Sequence, residues 1–453
     1  MSVSSISLTT KLYGIAIIIF LLSIILMTNA VDGFYHYTYI LSFSFSIYLA
    51  FLAKKILTLS RYLVFWIILL QQFLRYVLIP ILVVAGNEIP FGGTSYNVNI
   101  AIFMQVIELL VITIALYSVN KFPPVQKKSY FVNLNIPLIA VLIFSIILMV
   151  IKREYFERLN FIFSFNTYLE AKLNNEIEKA DAIMGIMFPT IRIFIILFLF
   201  SVINKIFKRD RNKFIMCLII IFFNSTLILG TSRFSIIYST LPLIYLLILY
   251  FPKYKRKLLV TTVIMSIFVI GISSINKYTR KDREASASDF LSFFQMNAYF
   301  SGVANYAIGI DAYDSKNVTL TDHFYYFISD VNQNLPGLAS LSDNAFKTNI
   351  IFNDTLYGKS QSYDQIVPIS IAGLFHFSFW FFYIYCFILT KLAFFFERKS
   401  NNEVSSIVKA IYVVLAFNCS TLMMINIGSV AATMFINILF FLPFFKTISK
   451  LKM

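Results

Sequence analysis

Residue types that usually carry metal or redox chemistry are scarce in this sequence. It contains three cysteines and three histidines. Cys217, Cys386 and Cys419 lie within apolar runs, where cysteine usually acts as a small buried residue. Neither a C-x-x-C nor an H-E-x-x-H pattern occurs. The sequence therefore offers no pattern for a zinc site, and we expect neither a metal nor another cofactor.

Charge is also sparse. Only 13% of the 453 residues are charged, whereas 59% are hydrophobic, and the mean hydropathy is +0.78. These values lie far outside the range of soluble domains. The composition therefore predicts a polytopic membrane protein.

Apolar runs long enough to cross a membrane recur along the chain. A span needs about 20 predominantly apolar residues, and about twelve such runs can be counted. They cover residues 12–31, 34–53, 62–86, 98–119, 135–151, 184–204, 214–230, 232–251, 258–276, 367–390, 405–426 and 428–447. Because they are apolar on every face and about twice the length of a membrane strand, they predict an all-α fold. The first run lacks a cleavage site, so we expect it to remain as a span.

Basic residues are concentrated in alternate loops. Those after the second, fourth, sixth, eighth, tenth and last runs are rich in lysine and arginine, as in the segment from Lys205 to Lys213. Such loops face the cytoplasm, which also places both termini there. The net charge of +16 thus reflects topology and gives no argument for nucleic-acid binding.

Arg75, Glu108 and Arg192 are ionisable residues that lie well inside apolar runs. Arg75 and Glu108 lie at matching depth in consecutive runs, so we expect a structural ion pair, although a role in substrate handling is an alternative. Arg192 lies in the sixth run and needs an anionic or acidic partner. Binding of substrate and structural pairing both remain open for Arg192.

The chain divides into residues 1–276 with nine spans, a large extracytoplasmic loop at 277–366, and residues 367–453 with three spans and a cytoplasmic C-terminus. The loop begins with a basic cluster that includes Arg280 and Arg283, one helical turn apart. Two such guanidinium groups suit a phosphate or pyrophosphate. Neighbouring Asp282 and Glu284 could instead pair with them.

The middle of this loop is too apolar for a simple linker. We expect short amphipathic helices that form a cap, with aromatic residues buried against the membrane domain or dipping into it. The residues concerned are Phe290, Leu291, Phe293, Phe294, Phe300, Phe324, Tyr325, Tyr326 and Phe327.

A general base is harder to assign. His323 follows Asp322, and a histidine beside an acid could activate a sugar hydroxyl, although a structural histidine is an equal alternative. Asp322 and Asp330 are the other candidate bases. His376 lies inside the tenth run, where an interhelical hydrogen bond is the more common role.

Three segments carry a resemblance to a known family. They are Leu229-Gly230-Thr231-Ser232-Arg233, the stretch Tyr299-Phe300-Ser301-Gly302 followed by Asn305, and residues 366–377 with Gly373. Together with about a dozen spans and one dominant outer loop, they resemble the bacterial O-antigen polymerases of the Wzy type. Some members carry glycine eleven residues after an arginine, whereas Ile244, Leu291 and Phe294 occupy those positions here.

The resemblance implies a GT-C-like, metal-independent glycosyltransferase of the bacterial plasma membrane. Such an enzyme transfers an oligosaccharide from undecaprenyl pyrophosphate to another lipid-linked repeat unit on the extracytoplasmic face. It works beside a flippase and a chain-length regulator. Pyrophosphate binding would fall to Arg233, Arg280 and Arg283, with Arg192 as a further candidate.

Two alternatives stay open. Arg233 lies in a tight turn, where it could merely anchor helix ends at the interface. For the whole chain, a flippase for the same lipid-linked sugar is less favoured, because no internal repeat is visible and a long outer loop is unusual for a transporter. An O-antigen ligase would share the architecture.

Overall fold

The computed structural model describes most, but not all, of the chain. The described residues are 3–30, 33, 35–86, 97–119, 132, 136–151, 159–161, 182–229, 234–255, 257–258, 260–261, 293–335, 337–358, 366–423 and 426–450. They form helices joined by turns and short irregular segments, together with one short antiparallel pair of strands, β1 (Leu159–Phe161) and β2 (Leu227–Leu229), in which Asn160 is opposite Ile228.

Six helices within the described residues are long and apolar enough to cross a membrane. They are Leu8–Thr28, His36–Ala53, Leu63–Ala85, Val98–Tyr117, Met187–Ile206 and Ile427–Ser449. They correspond to the first four, the sixth and the twelfth apolar runs. Shorter apolar helices at Leu138–Leu148, Ser239–Tyr250 and Ser406–Ser420 fall in the fifth, eighth and eleventh runs. The protein is therefore a helical, polytopic membrane protein.

The chain forms two compact units. The first comprises Met1–Phe122, Ala287–Phe395 and Asn418–Ala432, and the second comprises Pro123–Ser286, Phe396–Phe417 and Thr433–Met453. The helices before residue 122 are α1 (Val3–Thr28), α2 (Tyr39–Ala53), α3 (Ile56–Leu59), α4 (Leu63–Phe73), α5 (Ile79–Gly86) and α6 (Val98–Tyr117). A π-helical segment, Leu74–Leu78, joins α4 to α5.

The remaining helices follow in chain order. Those between residues 136 and 250 are α7 (Ile136–Ile151), α8 (Ala182–Ile206), α9 (Asp210–Ser225) and α10 (Phe234–Tyr250). Next come α11 (Phe293–Phe300), α12 (Val303–Asp314), α13 (Leu320–Asn332) and α14 (Thr348–Tyr357). The last are α15 (Ile369–Phe377), α16 (Ile384–Asn402), α17 (Ser406–Ser420), α18 (Ile427–Phe435), a π-helical segment (Ile436–Phe441) and α19 (Leu442–Lys450).

The tenth apolar run, 367–390, is not one span as its hydropathy predicted. The chain ends α15 at Phe377 and turns at Ser378, whose φ of 68° lies in the left-handed region, before α16 begins at Ile384. The helix end stays close to the turn because Gly373 has no side chain. A Cβ atom on Gly373 would lie 2.0 Å from the carbonyl oxygen of Phe382.

Within the segment predicted as a capping loop, the described residues 293–335 and 337–358 fold mainly into helices α11 to α14. Of these, α12 packs along α6 and is buried over most of its length, so this part of the loop enters the membrane domain. The aromatic residues differ among themselves. Tyr326 is buried, but Phe324, Tyr325 and Phe327 are exposed, which corrects the expectation for those three. Phe290 and Leu291 lie outside the described residues.

The close contact at Gly373 generates a stability prediction. Gly373→Ala should lower the free energy of unfolding by about 1–3 kcal/mol, because a backbone carbonyl cannot rotate away from the new methyl group. The comparison is Gly14→Ala in α1, where a Cβ atom meets nothing within 4 Å. Thermal unfolding in detergent should show a lower Tm for the first variant and an unchanged or higher Tm for the second. Equal Tm values would contradict the packing.

Candidate functional site

Helix ends meet at the middle of α6, within the first unit. The break between α11 and α12 falls at Ser301 and Gly302, and Ser301 has a positive φ of 49°. Gln105 Nε2 of α6 lies 3.5 Å from the backbone oxygen of Ser301, and Ser301 Oγ donates to the backbone oxygen of Met423 at 2.9 Å. Gln105 is seven residues into α6, about 10 Å from its first residue.

Two further helix ends lie in the same region. After α17, Gln71 Nε2 donates to the Ser420 backbone oxygen at 2.9 Å, and Gln71 Oε1 accepts from the Met423 backbone nitrogen at 3.3 Å. Before α15, the Val367 backbone nitrogen donates to Asn426 Oδ1 at 3.1 Å. We call this region, formed by Ser301–Gly302, Val367–Ile369 and Ser420–Met423 around α6, the broken-helix centre.

The broken-helix centre has a physical cost. Backbone groups freed by a helix break cannot bond to water inside a membrane, so breaks are tolerated only where protein or a polar cavity supplies partners. Here Gln71, Ser301 and Asn426 supply them. Discontinuous helices of this kind form substrate sites in many membrane proteins. The broken-helix centre is therefore the leading candidate for a functional site.

A buried ion pair lies beside it. Arg75 Nη1 is 2.7 Å from Glu108 Oε1, and both side chains are fully buried. The pair predicted from the sequence is thus present in the structure. The second oxygen of Glu108 accepts hydrogen bonds from the Tyr306 hydroxyl and, at 2.6 Å, from Ser370 Oγ. Three donors from three other parts of the chain meet this one carboxylate.

Arg75 belongs to the π-helical segment between α4 and α5, a distortion that often occurs at functional sites. Its guanidinium carbon lies 4.5 Å from the centre of the Tyr306 ring, a favourable cation–π distance. Its Nε and Nη2 atoms, and Gln105 Oε1 on α6, have no hydrogen-bond partner among the described residues. The guanidinium therefore has buried donors that the Glu108 carboxylate does not use.

Asp330 takes part in a second buried cluster. Its Oδ1 accepts from the Thr348 backbone nitrogen at 3.0 Å, and its Oδ2 lies 2.9 Å from His376 Nε2. The other ring nitrogen of His376 is 2.7 Å from the Tyr385 hydroxyl. Since a carboxylate only accepts, Nε2 carries a proton, and a neutral ring then accepts from Tyr385 at Nδ1. His376 thus makes the expected interhelical bond, and Asp330 is inaccessible behind it.

His323 has a different setting. Its Nδ1 is 2.6 Å from the backbone oxygen of Phe375, so Nδ1 donates and a neutral ring keeps Nε2 as an acceptor. The side chain is half-buried, and its ring stacks on Tyr313 with centroids 6.2 Å apart. A fixed ring with a free acceptor nitrogen is the arrangement that a general base requires.

Asp322 is used locally. It forms a capping box with Thr319 at the start of α13, accepting from the Thr319 backbone nitrogen at 2.8 Å and from its hydroxyl at 2.7 Å. Those hydrogen bonds lower the pKa of Asp322. A carboxylate with a lowered pKa that caps a helix is a poor general base, so the structure favours His323 over Asp322.

Of the four arginines that are candidates for pyrophosphate binding, only Arg192 lies within the described residues. It is buried in α8 and donates to Asn224 Oδ1 at 2.7 Å, to the Asn224 backbone oxygen at 2.7 Å and to the Leu227 backbone oxygen at 3.2 Å. Its partners there are neutral acceptors rather than the expected anion or acid. Arg233, Arg280 and Arg283 lie outside the described residues.

Several residues of the site were not singled out from the sequence, among them Gln105, Tyr306 and Ser370. A signal existed for Gln105, because it is a polar residue within an apolar run one helical turn from Glu108. Tyr306 follows Asn305 of the family-like segment, and Ser370 follows Pro368, but neither position has a spacing that points to Glu108.

Comparisons with known families, proteins and solved structures give no match. No family model matches the chain, and no curated protein or solved structure is similar enough to count as a match. Within the described part of the chain, no three histidine, cysteine, aspartate or glutamate side chains come together in a way that could hold a metal ion.

The ion pair leads to a second prediction. Glu108→Gln should destabilise the protein more than Arg75→Met does. It leaves the buried Arg75 charge unpaired, at a cost of about 3–5 kcal/mol. The double variant Arg75→Met/Glu108→Gln should be more stable than Glu108→Gln alone, because no buried charge remains and the amide oxygen can still accept from Tyr306 and Ser370. Thermal unfolding in detergent measures both effects.

A matched control is Arg61→Met, which removes an exposed cation between two helices of the same unit. It should leave Tm nearly unchanged. If the double variant proves less stable than Glu108→Gln, Arg75 and Glu108 do not act as a charge pair.

Proposed function

We propose that the chain is a membrane glycosyltransferase that polymerises lipid-linked oligosaccharide repeat units. In this proposal about twelve spans form a GT-C-like membrane domain in the bacterial plasma membrane, with both termini in the cytoplasm. The donor is an oligosaccharide on undecaprenyl pyrophosphate, and the acceptor is the end sugar of another lipid-linked unit. No metal takes part.

The proposal rests on the broken-helix centre. The large loop predicted at 277–366 contributes Ser301 and Gly302 to this centre. Helix α12 begins at this centre beside Gln105 and ends near the start of α6, where Asn97 Nδ2 donates to Asp311 at 2.7 Å and to Asp314 at 3.2 Å. Polar groups thus occur from the middle of a candidate span to its end. An enzyme that handles a sugar headgroup on a lipid anchor needs such a polar region beside an apolar surface.

The chemistry places modest demands on the protein. The acceptor hydroxyl attacks the anomeric carbon of the donor, a new glycosidic C–O bond forms, and the bond to pyrophosphate breaks. The base takes the hydroxyl proton, and undecaprenyl pyrophosphate leaves with the bonding electron pair. Because pyrophosphate is already a good leaving group, cations that neutralise it supply most of the stabilisation. Arg233, Arg280 and Arg283 are proposed for that role.

His323 is the base favoured in this proposal. Its Nε2 remains an acceptor while the Phe375 carbonyl holds its Nδ1. Asp322 caps a helix, and Asp330 is buried against His376. Neither carboxylate is free to approach a sugar hydroxyl without breaking those contacts.

One observation favours a flippase as the second candidate. The Arg75–Glu108 pair lies at the middle of a candidate span, and intramembrane charges often mark a transport path. A flippase would move the lipid-linked sugar without forming a bond. An O-antigen ligase would instead transfer the finished glycan to a different acceptor. The three functions differ in their products.

The decisive experiment supplies purified protein in vesicles with a lipid-linked repeat unit. A ladder of lengthening glycan is expected for the polymerase. Transfer to a different acceptor would favour the ligase, and movement across the bilayer without new bonds would favour the flippase. We expect Arg280→Ala and Arg233→Ala each to abolish the ladder while the protein still inserts, because each removes a cation from the leaving pyrophosphate.

Lys253→Ala serves as the control for these variants. Lys253 is an exposed cation in a loop predicted to face the cytoplasm, so its loss should leave the ladder intact. Full activity in both arginine variants would remove the proposed pyrophosphate site.

A further prediction separates the candidate bases. His323→Gln should lower the rate of polymerisation by about 10²–10⁴-fold, the usual contribution of a general base, while Tm stays close to that of the wild type. Asp330→Asn should lower both the rate of polymerisation and Tm, because it weakens the buried contact with His376. Comparing laddering rates with Tm distinguishes the two. Wild-type activity in His323→Gln would exclude His323 as the base.

A further inference from the structure

The exposed side of α13 is apolar. Leu320, Phe324, Phe327 and Val331 recur at helical spacing and lie within one narrow face of the helix. Leu320 is 90% exposed and Phe324 is 61% exposed. A row of large apolar side chains on the outside of a helix is unfavourable in water.

The side of α13 that faces the protein lies next to this stripe and carries polar groups beside the buried Tyr326. His323 bonds to the Phe375 carbonyl, and Asp330 bonds to His376. Ser329 is buried, and its backbone oxygen accepts from Ser342. The helix thus exposes large apolar residues while it buries several polar ones, unlike the usual surface helix, whose apolar residues face the core.

The apolar face of α13 continues onto the turn between α15 and α16. The rings of Phe327 and Phe377 lie 6.1 Å apart. The turn that follows carries Phe379, Trp380 and Phe381 in succession, and Trp380 is 77% exposed. We call Leu320, Phe324, Phe327, Phe379, Trp380 and Phe381 together the aromatic face.

The aromatic face also reaches a candidate membrane span. Phe379 stacks on Phe103 with ring centroids 6.5 Å apart and an interplanar angle of 11°. Phe103 belongs to α6 and is 53% exposed, as expected for a side chain that contacts lipid. It lies five residues, or about 7.5 Å, from the first residue of α6. The exposed apolar surface thus extends from the flank of a span to α13 without a charged residue among its members.

We propose that the aromatic face contacts membrane lipid and that α13 lies at the bilayer interface. In this proposal the bilayer, and not a partner protein, covers the aromatic face, because the face continues the exposed surface of α6. The exposed Trp380 suits such a position, because tryptophan is enriched at membrane interfaces. This inference does not depend on the proposed glycosyltransferase activity.

One consequence concerns His323. It lies on the same helix as the aromatic face but on the protein side, close to the Phe375 carbonyl. With α13 at the interface, His323 lies within a helix diameter of the lipid headgroups. That is the depth at which the headgroup of a membrane-anchored molecule is held.

The chain has two tryptophans, Trp66 and Trp380, which makes the proposal testable by fluorescence. The experiment uses full-length protein in vesicles whose acyl chains carry bromine, a quencher confined to the hydrocarbon. Trp66→Phe leaves Trp380 as the native probe. In a Trp66→Phe/Trp380→Phe background, Phe324→Trp reports on α13, and Lys316→Trp, at an exposed polar site before α13, is the matched control.

We expect brominated lipid to quench Trp380 and the probe at position 324 several-fold more strongly than the probe at 316, and aqueous iodide to show the reverse order. Strong iodide quenching at 380 and 324 would mean that the face is in water. Quenching by neither reagent would mean that protein covers it. Either result overturns the proposal, and the Trp380 measurement decides it even if Phe324→Trp does not fold.

Discussion

The carboxylate of Glu108 is the contact on which the first unit depends. It lies in the middle of an apolar helix and accepts from Arg75, Tyr306 and Ser370, which belong to the π-helical segment, α12 and α15. An ionised carboxylate is too costly to bury without such donors. Each donor in turn fixes a helix against α6. A single charged group therefore specifies how three separate segments, far apart in sequence, pack together.

The Glu108 contact also explains why part of the large loop predicted at 277–366 packs inside the membrane domain and does not merely cap it. Tyr306 reaches Glu108 only because α12 begins at the break after Ser301 and runs beside α6. Backbone groups at a break of that depth need side-chain partners. Gln105 donates to the Ser301 carbonyl, and the Ser301 hydroxyl donates to the Met423 carbonyl. The ion pair, the helix break and the buried α12 are consequently parts of one arrangement, since each supplies what the others need.

Some of this arrangement could be predicted from the sequence, and the rest could not. Arg75 and Glu108 could be paired because consecutive spans fix depth, and two rare charges at one depth must meet. The turn at Ser378 could not be seen, because its residues are as apolar as the helices on either side and hydropathy ignores backbone conformation. The exposure of Phe324, Tyr325 and Phe327 was not predicted from the sequence for a related reason. Apolar residues are expected inside, but beside lipid they are stable outside.

The short helix α15 connects the two buried clusters with the favoured base. Ser370 bonds to Glu108, the Phe375 carbonyl accepts from His323, and His376 bonds to Asp330. All three contacts arise from nine residues, and the close approach at Gly373 holds that helix against the turn after it. Because these contacts lie on one short helix, the position of His323 and the packing around Glu108 both depend on α15. A displacement of α15 would alter the candidate base and the intramembrane ion pair together, which makes α15 the element through which the two sites are mechanically joined.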